Sequence, residues 1–306
     1  MKYTYKIIDV FTNQPFNGAQ LAVFPDAIGL NDQQMALVAR ELNLTETVFL
    51  TKTPGNENHF RMKIFSPLGE IDSSGHPIIA AAYTLASCDR LILKDGHTPV
   101  TFLQNTGEIL ANVSSENSIP SLVQYTRTTS PIVDYFTPTE AELGSFLGID
   151  AAYIDNKKYS TRLVSCGVPY LVVPTFYYET VREAKFDLAA WSQSIAPQTS
   201  AQAILLISPK TPYKDSDFAA RLVGPNIGIN DDPPVGFAMS ALAAFLCSFS
   251  HMQKGTYTFA VQRGDEKMRR SVLNLEMDHK GEDTLTIRVG GEAVKVAEGT
   301  IFIPEA

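Results

Sequence analysis

The order of apolar and polar positions along the chain predicts strands and helices that follow one another in two successive halves. In the first half, short stretches of strand character occur at residues 6–10, 20–24, 47–50, 59–65, 100–103 and 108–113. Apolar residues at helical spacing predict a helix that Asn31 and Gln34 begin as a capping box and that Asn43 ends. The polar residues 114–118 then indicate a crossing into the second half.

The second half repeats this alternation. Thr139 and Glu142 have the spacing of a capping box, which predicts a short helix that Gly148 ends. A surface helix is expected at residues 186–194. Strands are expected at residues 162–165, 170–173, 203–208, 218–223, 257–262, 272–277, 284–289 and 300–303.

Two segments echo each other, because each places a glycine just before an apolar helix. Gly75 precedes the apolar residues 78–85, and Gly236 precedes the apolar residues 238–249. Both helices are apolar on nearly every face, so each should be enclosed by sheet. The sequence therefore predicts an α+β fold of two pseudo-repeated halves, each a curved mixed sheet or barrel wrapped around a central apolar helix.

The starts of these two helices are candidate anion sites. A helix start offers unpaired backbone N–H groups and a partial positive charge, which together attract an anion. Acidic residues precede both starts, and His76 follows the first glycine directly. If both starts face one cleft, they would hold a carboxylate and move its protons. We place the halves at residues 1–117 and 118–293, with residues 294–306 able to return to the first half, and the active site in the cleft between them.

Composition narrows the classes of partner. The 306 residues are 44% hydrophobic, enough for two domains with cores of their own. The net charge of −8 and the absence of any run of Lys or Arg argue against nucleic acid or an anionic membrane as a partner. A small-molecule substrate is expected instead. The first residues lack the apolar core of a signal peptide and no stretch of eighteen apolar residues follows, so the expected location is cytoplasmic.

No cofactor or metal is expected from the sequence. Cys88, Cys166 and Cys247 lie far apart, so they suggest neither a disulfide framework nor a zinc site. The five histidines have no paired metal-ligand spacing. Glycine-rich nucleotide loops and the Gly-x-Ser-x-Gly elbow of serine hydrolases are also missing. A two-cysteine racemase would need a thiol at each helix start, where this chain has His76 and Phe237.

A series of short motifs runs in order along almost the whole chain and resembles the phenazine-biosynthesis isomerase group, often called PhzF-like. No single motif is specific, but their order makes chance an unconvincing explanation. The matching pieces are Asp9-Val10-Phe11-Thr12, Pro15-Phe16-Asn17-Gly18, Leu21-Ala22-Val23-Phe24, Leu44-Thr45-Glu46-Thr47-Val48-Phe49, Phe65-Ser66-Pro67, Gly75-His76-Pro77, Val164-Ser165-Cys166-Gly167-Val168-Pro169 and Asp232-Pro233-Pro234-Val235-Gly236.

The resemblance implies the diaminopimelate epimerase fold and an isomerase that uses neither cofactor nor metal. Such an enzyme takes a proton from one carbon of a small carboxylate-bearing molecule and returns it to another carbon. In the family, the glutamate at Glu46 is the acid and base, and the residues at His76 and Asp232 belong to the same catalytic site. Relatives are commonly homodimers. We assign substrate binding to the two helix starts, at Ser73, Ser74, Gly75, Gly236 and Phe237.

Two departures from the family pattern bear on the substrate. The family usually has Asn-Pro where this chain has Ala19-Gln20, and a serine where it has Phe237. A serine there would offer a hydroxyl to the substrate, whereas phenylalanine offers bulk and an aromatic face. The hypothesis is a small acid other than the phenazine precursor, with a flat or apolar part near Phe237 and a polar group near Ser73 and Ser74.

Other interpretations of the same residues stay open at this point. An arbitrary glutamate past a helix end is usually a solvated acid, the histidine could be satisfied by nearby backbone, and the aspartate could belong to an ordinary turn. The strongest rival function is a metabolite-binding or regulatory module that keeps the cleft but has lost turnover. The substitutions at Ala19 and Phe237 favour it, and the retained Glu46, His76 and Asp232 oppose it.

Overall fold

The computed structural model describes residues 1–72, 74–227, 232–265, 267 and 269–304. The chain forms two compact units: Met1–Arg127 with Val289–Ala306, and Thr128–Arg288. Both units combine sheet with a few helices, so the protein is of mixed α+β class and is dominated by strands. Among the helices that the structure describes, none combines the length and the apolar composition needed to cross a membrane.

The strands and helices have the following bounds. The strands are β1 (Lys2–Val10), β2 (Ala19–Phe24), β3 (Thr47–Lys52), β4 (His59–Ser66), β5 (Gly69–Ile71), β6 (Gly96–Gln104), β7 (Gly107–Glu116), β8 (Ile119–Thr129), β9 (Ile132–Asp134), β10 (Arg162–Ser165), β11 (Pro169–Pro174), β12 (Ala203–Ser208), β13 (Phe218–Val223), β14 (Gly255–Arg263), β15 (Ser271–His279), β16 (Leu285–Gly291) and β17 (Ala293–Phe302). The helices are α1 (Asp32–Leu42), α2 (His76–Ser87), α3 (Glu140–Leu147), α4 (Tyr178–Glu183), α5 (Leu188–Gln193) and α6 (Met239–Cys247). Single 3-10 turns lie at Ala151–Tyr153, Ala196–Thr199 and Gly236–Ala238.

The first unit packs its strands against the buried helix α2. The strands pair in the order β17, β1, β2, β3, β4, β6, β7, β8, parallel between β2 and β3 and between β4 and β6, and antiparallel elsewhere in this series. Helix α2 contacts β1, β2, β3, β7 and β17. Ile78, Ile79 and Leu85 are completely buried in it, as the apolar sequence of this helix predicts. Burying each such side chain stabilises the fold by about 1.5–3 kcal/mol.

The second unit has a similar relation between sheet and helix. Its strands pair in the order β9, β10, β11, β12, β13, β14, β15. Helix α6 is buried from Met239 to Leu246 and contacts β10, β11 and β15. A separate apolar cluster forms where α3 and α5 meet, with the rings of Phe146 and Trp191 edge to face at 5.1 Å.

A buried arginine holds the end of helix α6. Arg162, the first residue of β10, donates from a terminal nitrogen to the backbone oxygen of Ser248 at 2.7 Å, just past the last residue of the helix. Its guanidinium lies 3.7 Å from the centre of the Phe249 ring and 4.8 Å from that of Tyr135. A cation at a helix end is favourable because the unpaired carbonyl groups there carry partial negative charge.

The helix starts and stops predicted from side-chain chemistry are confirmed. Asn31 and Gln34 form a capping box before α1, and Asn43 ends that helix in the left-handed conformation. Thr139 and Glu142 form a second capping box before α3, and Gly148 ends it, also left-handed. These features depend on residues a few positions apart, so the local sequence is sufficient to specify them.

The predicted crossing at residues 114–118 is wrong. β7 continues to Glu116, β8 begins at Ile119, and these two residues pair across a two-residue hairpin loop. Asn117 and Ser118 have φ values of 51° and 63°, so both central residues are left-handed, as a type I′ hairpin turn requires. Serine and asparagine favour turns of several kinds, and only the pairing of the flanking strands distinguishes a hairpin from a crossing. The predicted division after residue 117 falls at this loop, whereas the compact units divide after Arg127.

Ser118→Gly should stabilise the protein, because glycine adopts a left-handed backbone without the steric cost that serine bears. The expected gain in the free energy of unfolding is about 0.5–1 kcal/mol, measured by urea denaturation. Ser121→Gly, at the irregularity near the start of β8, is the control. It should destabilise the protein by a similar amount, because it loses the hydrogen bond from the Ser121 hydroxyl to the Ser114 oxygen at 3.2 Å. Equal destabilisation by both changes would contradict the hairpin conformation.

Candidate active site

Glu46 lies in the short connection between α1 and β3, and its backbone is held against β2. The Thr45 hydroxyl donates to the backbone oxygen of Gln20 at 3.1 Å, and the backbone N–H of Ala22 donates to the oxygen of Glu46 at 3.3 Å. The Glu46 residue is only 8% exposed. It is therefore a fixed, buried carboxylate and not the solvated surface acid that its position after a helix would ordinarily suggest.

The Glu46 carboxylate contacts two side chains from the start of helix α2, one of them 28 residues further along the chain. Oε2 of Glu46 lies 2.7 Å from Nε2 of His76, and the Ser74 hydroxyl donates to the same oxygen at 3.3 Å. His76 is 6% exposed. The imidazole and carboxylate are close enough for an ion pair, but the ring nitrogen is not aligned as a hydrogen-bond donor to any described residue. Two groups that both accept and release protons thus share a space with little water.

The start of helix α2 places His76 and Ser74 beside Glu46. Gly75 is the N-cap, without a side-chain cap, and Pro77 occupies the first turn, where its missing N–H costs nothing. A Cβ on Gly75 would overlap the hydroxyl of Tyr125, which comes from β8. Burial raises the pKa of Tyr125 to about 12, with Arg127 acting weakly in the opposite direction. Glycine is therefore required here by the close approach of a tyrosine that stays protonated at neutral pH.

Gln104, the last residue of β6, contacts the backbone of the loop that carries Ser74. Its side-chain Nε2 donates to the backbone oxygen of Ser74 at 3.2 Å and lies 3.3 Å from Sδ of Met62. Its carbonyl oxygen is buried and has no hydrogen-bond partner in the described part of the chain. An unpaired buried polar group costs about 1–3 kcal/mol, so this amide is not explained by packing alone.

Asp232, in the second unit, is surrounded by arginines. Its Oδ2 lies 2.7 Å from a terminal nitrogen of Arg182, and its Oδ1 lies 3.4 Å from Nε of Arg263. The Asp232 side chain is 3% exposed. Arg221 donates to the backbone oxygens of Arg182 and Ala184 at 2.8 and 2.9 Å. Burial lowers the pKa of Arg263 and of Arg221, and the nearby Asp232 charge raises both.

Gly236 and Phe237 form the 3-10 turn that leads into α6. Gly236 is buried and Phe237 is half-buried. The thiol of Cys166 lies 3.5 Å from the backbone oxygen of Ser240, in the first turn of α6, so the motif at residues 164–169 packs beside this helix start. The motif therefore has a structural contact to the predicted site segment within the second unit.

The predicted site residues fall into two groups, one in each compact unit. Glu46, Ser74, Gly75 and His76 meet in the first unit. Asp232, Gly236 and Phe237 lie in the second unit, near the start of α6. Ser73 lies outside the described residues. Sequence reasoning missed the residues that touch these positions from distant strands and helices, namely Gln104, Tyr125, Arg182 and Arg263; no local motif marks them.

A metal ion would need several His, Cys, Asp or Glu side chains close together. In the parts of the chain that the structure describes, no three His, Cys, Asp or Glu side chains form a group that could hold one. Glu46 has the His76 ring and the Ser74 hydroxyl beside it. Their arrangement suits proton transfer between side chain and substrate.

Comparison with known proteins shows which family this chain resembles as a whole. The family model described as phenazine biosynthesis-like protein matches residues 8–299. An uncharacterized isomerase of Mesorhizobium japonicum is 30% identical over 302 residues, 98% of each chain. The trans-2,3-dihydro-3-hydroxyanthranilate isomerase of Pseudomonas aeruginosa is 26% identical over 308 residues, 98% of this chain and 100% of its own. The crystal structure of a PhzF-family phenazine biosynthesis protein from Bacillus anthracis has the same fold, with a TM-score of 0.85 at 20% identity, over 99% of this chain and 100% of the other.

Gly75→Ala should destabilise the protein, because the added methyl group overlaps the Tyr125 side chain. The expected loss in the free energy of unfolding is about 1–3 kcal/mol, measured by chemical denaturation. Adding Tyr125→Phe should recover only part of it, since a ring carbon would remain 2.9 Å from the new methyl group. Tyr125→Phe alone serves as the control. Full stability of the alanine variant would refute the close contact.

Proposed function

We propose a function from one premise: the chain belongs to the phenazine biosynthesis-like protein family. As an isomerase of this family, it would move a proton between carbon positions of a small carboxylate-bearing molecule, with the Glu46 carboxylate as acid and base. The single observation that carries the proposal is the buried contact between Oε2 of Glu46 and Nε2 of His76 at 2.7 Å.

The proposed reaction is a proton transfer that leaves the atoms of the substrate unchanged in number. Glu46 takes a proton from a carbon next to an unsaturated or carboxylate group, and the electron pair of the broken C–H bond moves into that conjugated system. The protonated side chain then returns the proton to another carbon. Positioned acid and base catalysis of this kind contributes roughly 10²–10⁴-fold to a rate.

His76 and Ser74 would serve Glu46 in different ways. The Ser74 hydroxyl donates to Oε2 of the carboxylate and fixes its orientation. Nε2 of His76 has no aligned hydrogen-bond partner among the described residues, so it retains the capacity to bind or protonate a substrate atom. Ser74 thus orients the Glu46 carboxylate, and His76 offers a second proton-transfer group.

Asp232 would act through its charge more than through proton transfer. Arg182 contacts Oδ2 and Arg263 contacts Oδ1 of this carboxylate. We expect these ion pairs to fix the segment that leads to Gly236. This assignment is narrower than the catalytic role that the sequence resemblance implies for Asp232.

The arrangement of each half is part of the proposal. We infer that α2 and α6 are equivalent central helices of two pseudo-repeated halves with the diaminopimelate epimerase fold. Support comes from the two echoed sequence segments, from the burial of both helices, and from the fold shared with the Bacillus anthracis protein. Formation of a homodimer is proposed on the family resemblance alone.

The substrate is proposed to be a small acid other than the one for which the Pseudomonas aeruginosa relative is named. Phe237 replaces the serine that the family usually has at this helix start, so an apolar or flat part of the substrate should lie beside it. The relatives' names favour an isomerase over a binding module that has lost turnover. Detection of exchange at carbon would decide between these two functions directly.

Glu46→Gln should abolish the incorporation of solvent deuterium into carbon. The wild-type protein is incubated in heavy water with a panel of small unsaturated, amino and hydroxy acids, and deuterium is followed by NMR and mass spectrometry. The amide keeps the shape of the side chain but cannot take a proton, so exchange should fall by about 10²–10⁴-fold. Glu41→Gln, on the exposed face of α1, is the control and should exchange like wild type. Undiminished exchange in Glu46→Gln would exclude the proposed mechanism.

Phe237→Ser should change which acids of the panel bind or exchange. Loss of the ring removes apolar contact and adds a hydroxyl, so preference should shift toward more polar acids by roughly 10-fold or more. The matched control is Phe136→Ser, which changes a 50% exposed phenylalanine of the same unit. An identical order of preference in Phe237→Ser and wild type would remove Phe237 from the substrate contacts.

A further inference from the structure

Gln104 is a buried polar residue of the first unit. Its side-chain nitrogen has hydrogen-bond acceptors, whereas its side-chain oxygen has no partner among the described residues. Nε2 faces two acceptors, the backbone oxygen of Ser74 at 3.2 Å and Sδ of Met62 at 3.3 Å. These acceptors fix which end of the amide carries the nitrogen. The opposite end, Oε1, is buried without a hydrogen-bond partner among the described residues.

An apolar side chain at position 104 would avoid the unpaired carbonyl. Gln104 is 2% exposed, and its neighbours in the strand, such as Phe102, belong to the apolar core. A buried acceptor without a partner destabilises a protein, and such groups are rare in folded structures. The presence of glutamine therefore points to a need for its donor, which is directed at the loop that carries Ser74.

We propose that Gln104 is a positioning residue of the active site, acting on Glu46 through Ser74; the inference rests on the proposed function of Glu46. The chain of contacts runs from the Gln104 amide to the Ser74 backbone oxygen, and from the Ser74 hydroxyl to Oε2 of Glu46 at 3.3 Å. Fixing the peptide of Ser74 fixes the direction of its hydroxyl. The same peptide precedes Gly75 and His76, so it also sets where helix α2 begins.

The physical consequence is a carboxylate whose hydrogen-bond donor cannot rotate away. Ser74 has a single side-chain torsion, and its rotamer is tied to its backbone orientation. Without the Gln104 donor, the Ser74 peptide can turn, and the hydroxyl would no longer point at Glu46 for part of the time. Gln104 itself touches no reacting atom; it orders the groups that do.

The experiment combines Gln104→Leu and Ser74→Ala in a double-mutant cycle, using the panel acid that exchanges fastest with wild type. Each single change should lower kcat about 10-fold, since each removes the ordered donor to Glu46. Gln104→Leu should change KM less than about twofold, because position 104 is not part of the binding surface. The double variant should also be about 10-fold slower, because both changes remove the same contact to Glu46. A loss of about 100-fold in the double variant, or no loss in Gln104→Leu, would overturn the proposal.

Gln34→Leu is the matched control for buried amides. Gln34 is 6% exposed, its Nε2 donates to the backbone oxygen of Pro304 at 2.9 Å, and its Oε1 accepts from the backbone N–H of Asn31 at 3.1 Å. The change therefore removes the hydrogen bonds of a buried amide, none of which involves Glu46, Ser74 or His76. It should lower the melting temperature without lowering kcat. Equal losses of kcat in Gln34→Leu and Gln104→Leu would show a general effect of stability and would contradict the positioning role.

A readout without turnover separates this proposal from the proposed function. The imidazole proton signals of His76 are assigned by comparison with His76→Asn, and should move in Gln104→Leu but not in Gln34→Leu. If no acid of the panel exchanges, these signals alone decide, and unchanged signals in Gln104→Leu refute the positioning role. If Glu46→Gln retains exchange, the proposed function fails whatever the His76 signals show.

Discussion

The burial of the Glu46 carboxylate beside His76 is the constraint on which the rest of the site depends. A carboxylate withdrawn from water is costly unless charged or polar groups surround it. His76 supplies a group that can carry positive charge at 2.7 Å, and Ser74 supplies a hydroxyl. Once these two are required, the loop before α2 must reach the connection between α1 and β3, and its backbone must be held there.

The packing of the first unit and the geometry of its site are therefore coupled. Helix α2 is apolar on nearly every face and is enclosed by strands, so its start cannot slide without disturbing the core. Gly75 lets Tyr125 approach the same start closely, and Gln104 holds the residue before it. Side chains from β6 and β8 thus fix a loop that belongs to neither strand. Changes in the core beneath this loop would be felt at Glu46.

The predicted site carboxylate of the second unit has different neighbours from Glu46. Asp232 is buried, like Glu46, but its neighbours are arginines, which hold their charge under all ordinary conditions. A histidine can accept or release a proton near neutral pH, whereas an arginine does not. A buried carboxylate thus has a proton-transfer partner in one unit and partners of fixed charge in the other.

The sequence by itself determined the features that depend on neighbours in the chain. The capping boxes at Asn31 and Thr139, the buried helices after Gly75 and Gly236, and the family of the protein all follow from local spacing or from ordered motifs. Tertiary structure alone decided the hairpin at Asn117, which local polarity suggested to be a crossing. It also decided the partners of Ser74 and Asp232, because Gln104 and Arg263 come from strands about 30 residues away along the chain. Such contacts arise only when the strands pair, and pairing depends on distant residues that no local pattern records.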